Sequence, residues 1–236
     1  MFYRSKRKGM IQMGKSVYSL VLMDEVVDAI DQMAYRNNTS RSNLINQILA
    51  EHVSLATPEK RMKEVFTSLE QFMDEQFQIQ FMPSDSMLSI RSPLRYKYKP
   101  TIRYSVELYR NPGSYAGRLK VQFRTQNLQL IRLLQSFFEF WISSLEGKYL
   151  PGRIHDSIRY ELNDGRFSRE LLFPPEEQKL TSEEFGNSIA EYIQLLDSMI
   201  KEYFAGLDDL EAAAGRMEKE YIAYLNEIEK RGGVYL

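Results

Sequence analysis

Four consecutive residues, Thr39, Ser40, Arg41 and Ser42, place three hydroxyls and one guanidinium just ahead of an apolar run that begins at Leu44. Hydroxyls at a helix start cap free amides, and the positive end of the helix dipole favours an anion at the same place. The chemistry on offer is the grip of a phosphate. Catalysis has less to work with, because His52 and His155 are the only histidines, cysteine is absent, and no Gly-rich phosphate loop, serine elbow or metal-ligand spacing occurs. His52 closes a helical pattern, where it packs or caps, and His155-Asp156 is loop-like. Glu176-Glu177, Glu183-Glu184 and Asp208-Asp209 fall at helix starts, where carboxylates complement the dipole. The expectation is a protein with no catalytic residue, no metal and no cofactor.

Cations gather at two further places. Arg4, Lys6, Arg7, Lys8 and Lys15 form a basic arm without an acidic residue or an apolar run long enough for a signal peptide, and such an arm can track a DNA backbone or stand solvated. Further on, Arg91, Arg95, Lys97, Lys99, Arg103, Arg110, Arg118, Lys120 and Arg124 are opposed in their interval by Glu107 alone. Tyr96, Tyr98, Tyr104, Tyr109, Tyr115 and Phe123 are interleaved with them. Basic sheets with exposed aromatics bind single strands by stacking and phosphate contact. A solvated face, a face turned to the acidic C-terminal helices, or a small anionic effector accounts for the same residues.

These residues need elements to hold them. From Val17 to Leu22 the side chains alternate, with Tyr18, Leu20 and Leu22 on one side and Val17, Ser19 and Val21 on the other, which predicts a strand. Val26, Val27, Ile30, Met33 and Ala34 then share one helical stripe, with Asp24, Glu25, Asp28 and Asp31 on the polar side. Met23 stands where a capping hydroxyl is normal, and Asp24 can cap instead. Asn37 and Asn38 tolerate the left-handed conformation that ends a helix, and Thr39 or Ser40 caps the next, whose stripe is Leu44, Ile45, Ile48, Leu49 and Val53. One strand and two helices in about forty residues is a size at which a lone chain usually needs oligomerisation.

The order strand, helix, turn, helix, together with the run Asn38-Thr39-Ser40-Arg41-Ser42, resembles the ribbon-helix-helix family, the superfamily of the Arc, MetJ and CopG repressors. The resemblance covers residues 15–55. It implies a homodimer in which two copies of the strand pair antiparallel and enter the major groove of double-stranded DNA. Val17, Ser19 and Val21 would then face the bases, and Lys15, Thr39, Ser40, Arg41 and Ser42 the phosphates, with the arm residues Arg4, Lys6, Arg7 and Lys8 alongside. Tyr18, Leu20, Leu22, Ile30, Met33, Leu44, Ile45 and Ile48 would form the dimer core. Here the chain departs from the family, which more often places Arg, Lys, Thr, Gln or Asn at the base-facing positions. Valines touch thymine methyl groups but make no bidentate hydrogen bonds to bases.

Beyond the resemblance, Thr57-Pro58-Glu59 starts a helix from Arg61 to Phe77 that carries Val65, Leu69, Phe72 and Met73 on one stripe, and Pro83-Ser84-Asp85-Ser86 ends it. The period then becomes two. Met87 to Arg91 and Leu94 to Tyr98 are candidate strands, and a hairpin turns at Asn111-Pro112-Gly113-Ser114 between Ile102-Tyr104-Val106-Leu108 and Leu119-Val121-Phe123. A strongly apolar helix from Asn127 to Leu145 is suited to cover that sheet. A weaker hairpin spans Ser157 to Phe173, and Thr181 to Phe204 and Leu207 to Glu229 read as two helices broken at Ala205-Gly206.

The expected architecture is α+β: a basic arm over 1–14, a ribbon-helix-helix dimerisation unit over 15–55, a linking helix over 56–82, an antiparallel sheet covered by an apolar helix over 83–175, and a helical hairpin over 176–236. At 236 residues, 43% hydrophobic and 27% charged, with net charge −1, the chain is long enough for two small domains. No uninterrupted apolar segment is long enough to cross a bilayer, and the lack of cysteine agrees with a reducing compartment. The expectation is a bacterial-type, cytoplasmic transcriptional regulator, nucleoid-associated when DNA-bound, with a C-terminal sensing or oligomerisation domain. The alternative is a non-catalytic assembly protein of antitoxin or plasmid-maintenance type that dimerises through the ribbon and docks on an unidentified protein.

Overall fold

In the computed structural model, which describes residues 19–53, 57–82, 84–97, 99–163, 166–173 and 180–236, the shift to a helical period after Leu22 coincides with helix α1 (Asp24–Arg36). Met23 occupies the N-cap and makes no side-chain cap, so the acidic first turn of Asp24 and Glu25 supplies the charge that a helix start favours. Asn37 is the C-cap, and Asn38 takes the left-handed backbone at φ 48°. Ser40 caps α2 (Arg41–His52) by accepting from the Asn43 amide at 3.2 Å. Thr39 instead accepts from Asn43 Nδ2 at 2.9 Å. Ser19–Leu22 forms no strand, in contrast to the expected ribbon, because a strand needs a neighbour to bond to and no described segment pairs with it. Val17 and Tyr18 lie outside the described residues, as do Lys15 and the arm residues Arg4, Lys6, Arg7 and Lys8.

The described chain is α+β and divides into two compact units, Met1–Lys60 and Arg61–Leu236, with the division in the first turn of α3 (Pro58–Phe72). Thr57 caps that helix by accepting from the Lys60 amide at 3.1 Å, and Pro58 sits where its missing N–H costs nothing. Expected to link two modules, α3 buries Met62, Val65, Phe66 and Leu69 in the core of the second unit. The chain then leaves the helix, and β1 (Gln78–Phe81) begins where a helix to Phe77 and a linker were expected. The antiparallel sheet continues as β2 (Met87–Pro93), β3 (Thr101–Leu108), β4 (Tyr115–Phe123), β5 (Tyr160–Asn163) and β6 (Arg166–Leu172) in the spatial order β1-β2-β3-β4-β6-β5. Leu94 to Tyr98, a candidate strand, forms none within its described residues.

Alternation decides the faces. Ile102, Tyr104, Val106 and Leu108 are buried, and their paired neighbours on β2 and β4 include Leu88, Ile90, Leu119 and Val121. Two helices cover this face: α4 (Leu128–Phe140), whose Phe138 stacks on Phe167 at 4.4 Å, and α6 (Ser182–Ala205), whose Asp197 accepts from the Tyr104 hydroxyl at 2.8 Å. Asn127 caps α4, and Thr181 with Glu184 forms a capping box on α6. The apolar helix expected to reach Leu145 changes to a π-helical turn over Trp141–Glu146, followed by the short α5 (Gly147–Tyr149). Helix α7 (Leu210–Arg231) follows α6 as the expected hairpin, and its Tyr221 meets Trp141 edge-on at 5.4 Å. Both C-terminal helices belong to the core of the sheet unit instead of forming a module apart. On the opposite face stand the alternate residues, mainly half-exposed.

Candidate nucleic-acid interface

In the N-terminal unit, Ala34 and Leu44 are the buried residues of α1 and α2. Ile30 and Ile45 of the expected dimer core are half-buried, whereas Leu20 is 58% exposed, Met33 44% and Ile48 42%. Leu22, Val21, Leu49 and Val53 are exposed as well. Ser19, on the expected base-facing edge with Val21, is exposed too.

At the head of α2, Ser40, Arg41 and Ser42 are exposed and Thr39 is half-buried. The amides of Arg41 and Ser42 precede the first intrahelical bond, from the Leu44 amide to the Ser40 carbonyl at 3.0 Å. Arg41 itself pairs with Asp31 through both carboxylate oxygens, bridging α2 to α1. That hydrogen bond holds the Asp31 carboxyl below its usual range and the Arg41 guanidinium above its own. The guanidinium expected on phosphate therefore has an internal partner ten residues earlier, which periodicity alone did not reveal.

The basic strands separate into two groups. Arg118 Nε donates to Glu170 at 2.6 Å, and Lys120 donates to Glu107 at 2.9 Å. Arg91 and Arg103 stand directly opposite one another in the sheet register, on the face away from α4 and α6. The acidic C-terminal helices meet the sheet through Asp197 and Tyr104 on the covered face, so they do not neutralise this pair. Most of the interleaved aromatics are engaged elsewhere. Tyr104 is buried, Tyr96 packs edge-on against Phe204 at 5.0 Å, Tyr109 donates to Glu170 at 2.8 Å, and Tyr115 donates to the Ser157 carbonyl at 2.8 Å. Burial, with Glu170 beside it, pushes the Tyr109 hydroxyl up to about 12. Phe123 is half-buried, and Tyr98 lies outside the described residues. The described aromatics thus form no continuous platform for stacked bases.

One buried polar cluster lies on the covered face. Arg169 donates to both oxygens of Glu146 at 3.0 and 3.1 Å and to the main-chain oxygens of Glu170 and Leu236. Glu146, at the end of the π-helical turn, also accepts from Tyr160 at 2.7 Å and Tyr192 at 3.0 Å. Burial alone would pull the Arg169 guanidinium down, but the Glu146 carboxylate more than offsets it and holds it up. With its charge and hydrogen bonds satisfied internally, the cluster ties β6, α6 and the π-helical turn together. His52 lies in the last turn of α2 and His155 in a loop. Among the described residues no group of three or more His, Asp or Glu side chains could hold a metal ion, and no helix is long and apolar enough to cross a membrane.

What the fold defines is an α+β protein in which a six-stranded antiparallel sheet unit follows a short pair of helices. Comparison with protein-family models, curated protein sequences and solved structures finds no match to the chain.

Proposed function

We propose that the chain is a DNA-binding transcriptional regulator that dimerises through its N-terminal unit. Two copies of the segment around Leu20 pair as a ribbon and α1 and α2 close over it, while the sheet unit serves sensing or oligomerisation. The observation that carries this reading is the exposed apolar surface of the helix pair. Leu20, Leu22, Met33, Ile48 and Leu49 face solvent in a unit whose helices fully bury only Ala34 and Leu44. Covering a side chain of this kind contributes roughly 1.5–3 kcal/mol, so a second copy supplies the core that one copy lacks. The capped start of α2, with Ser40, Ser42 and the amides ahead of Leu44, supports phosphate contact.

Sedimentation equilibrium and fluorescence anisotropy test this together, with a duplex from the protein's own upstream region and a scrambled duplex, each titrated through salt. The expected outcome is a dimer with tight, salt-sensitive binding and a preference for the native duplex. Leu20→Asp would bury an unpaired charge and should yield monomers that no longer bind. A variant that stays dimeric and folded would reject the ribbon register.

A second reading draws on the Arg41–Asp31 pair, which leaves that guanidinium engaged. Under it the unit mainly dimerises an assembly protein of antitoxin or plasmid-maintenance type. A dimer that binds neither duplex would favour that reading.

A further inference from the structure

On the face of the sheet away from α4 and α6, the register aligns one row across all six strands: Gln78 opposite Arg91, Arg91 opposite Arg103, Arg103 opposite Gln122, Gln122 opposite Arg166, and Arg166 opposite Asn163. Three guanidiniums and three amides stand in line, and none of the six is a carboxylate. Residues directly opposite lie about 4.5–5.5 Å apart at Cβ, where like charges repel. Arg91 facing Arg103 is therefore a cost to the fold that an anion lying across both would offset.

The neighbouring rows are built differently. Lys120 and Arg118, on the same face of β4, have the carboxylates of Glu107 and Glu170 as partners. Among the described residues Arg91, Lys99, Arg103, Arg124 and Arg166 make no ion pair. These five cations line one cavity of about 610 Å³ together with Gln122, and among the described residues no carboxylate lines it. Its volume falls within the roughly 300–1,000 Å³ of small-molecule sites.

We propose that this cavity binds a compact anion carrying two or more phosphate groups. Guanidinium forks match phosphate oxygens two at a time, and the Gln122 amide can donate to an oxygen the forks leave free. A single carboxylate would leave most of the five positive charges uncompensated. An extended single strand would need bases stacked on exposed rings, and Tyr96, Tyr104, Tyr109 and Tyr115 are packed or hydrogen-bonded within the fold. Phosphates of a nucleotide and of inorganic polyphosphate share the chemistry that the cavity recognises.

Isothermal titration calorimetry of the full chain with inorganic tripolyphosphate tests the site, with ATP and orthophosphate as parallel titrants. The expected result is one saturable, salt-sensitive site per chain that takes tripolyphosphate well and orthophosphate poorly. Tighter binding of ATP would add a nucleoside to the recognised ligand, and equal binding would mean that the phosphates alone are read. Arg103→Gln should weaken tripolyphosphate about ten- to a hundredfold, since a charge-assisted contact is lost. Removing one of two facing cations should not lower the melting temperature, and Arg166→Gln provides a second variant on another strand. Lys120→Gln removes the same charge from the same face at an already paired position, and should change binding by no more than a few-fold. No binding, or equal losses in Arg103→Gln and Lys120→Gln, would overturn the proposal. So would an oligothymidylate that binds this face and is not displaced by tripolyphosphate. None of these titrants is duplex DNA, so the result stands apart from whether the N-terminal unit binds DNA.

Discussion

Arg41 is where two demands meet. The proposed phosphate contact needs its guanidinium free, and the fold gives that guanidinium to Asp31 on the neighbouring helix. Both partners are solvent-exposed, so water and salt weaken the bond and a phosphate can compete for the same donors. Removing the competitor should help DNA. Asp31→Asn takes one negative charge away from the proposed interface and releases Arg41, so anisotropy should show affinity for all duplexes rising about two- to tenfold. Arg41→Ala should lower affinity for different sequences about equally and reduce the salt slope by roughly one unit. A loss confined to one sequence would contradict a phosphate role, and an Asp31→Asn variant with unchanged affinity would leave the pair as a purely structural clasp. The hydroxyls and Arg41 stood out in the sequence as candidate anion ligands by their types and spacing, whereas Asp31 looked like one more solvated acid on a polar helix face. Which cation it meets depends on how the turn at Asn38 folds α2 back.

Among the elements, α3 shows how packing can turn an apparent connector into core. Its stripe was readable in Val65 and Leu69, but nothing in a single helix pattern says what lies opposite. In the fold α6 crosses it closely at Gly186, where an added Cβ would fall 2.4 Å from the Val65 carbonyl oxygen and 2.9 Å from Ser68 Cβ. The first of those contacts is with backbone, which cannot rotate away. Gly186→Ala should therefore push the helices apart and cost on the order of 1–3 kcal/mol, despite alanine's better helix propensity. A lowered urea midpoint for the sheet unit checks it, and an unchanged or raised midpoint would mean that the two helices are free to shift. The β3–β4 hairpin, α4 and the α6–α7 break were legible because strict alternation, an apolar stripe and Ala205-Gly206 are local signals. β1 was not, since Gln78–Phe81 is too short to show a period of its own and becomes a strand only by pairing with β2. The row of Arg91, Arg103 and Arg166 was hidden for the same reason: its members come from three strands, and only the register brings them together.

At the scale of the whole molecule, the two units differ in how they meet the entropy cost of folding. The sheet unit has a continuous core drawn from α3, the strands, α4, α6 and α7, with a satisfied ion pair at Glu146 and Arg169 inside it. The helices of the N-terminal unit bury two residues and leave an apolar surface in water. A described core of that size does little to offset the order imposed on two helices and a turn, and under the proposed reading association with a second copy supplies the rest. Association obeys mass action, so that reading makes the stability of the N-terminal unit depend on protein concentration and leaves the sheet unit's unchanged. Scanning calorimetry of the full chain should accordingly show two transitions: a lower one that climbs as concentration is raised and falls in Leu20→Asp, and a higher one fixed in both. One concentration-independent transition for the whole chain would mean that the exposed residues around Leu20 and Ile48 need no second copy, and the ribbon would lose its physical basis.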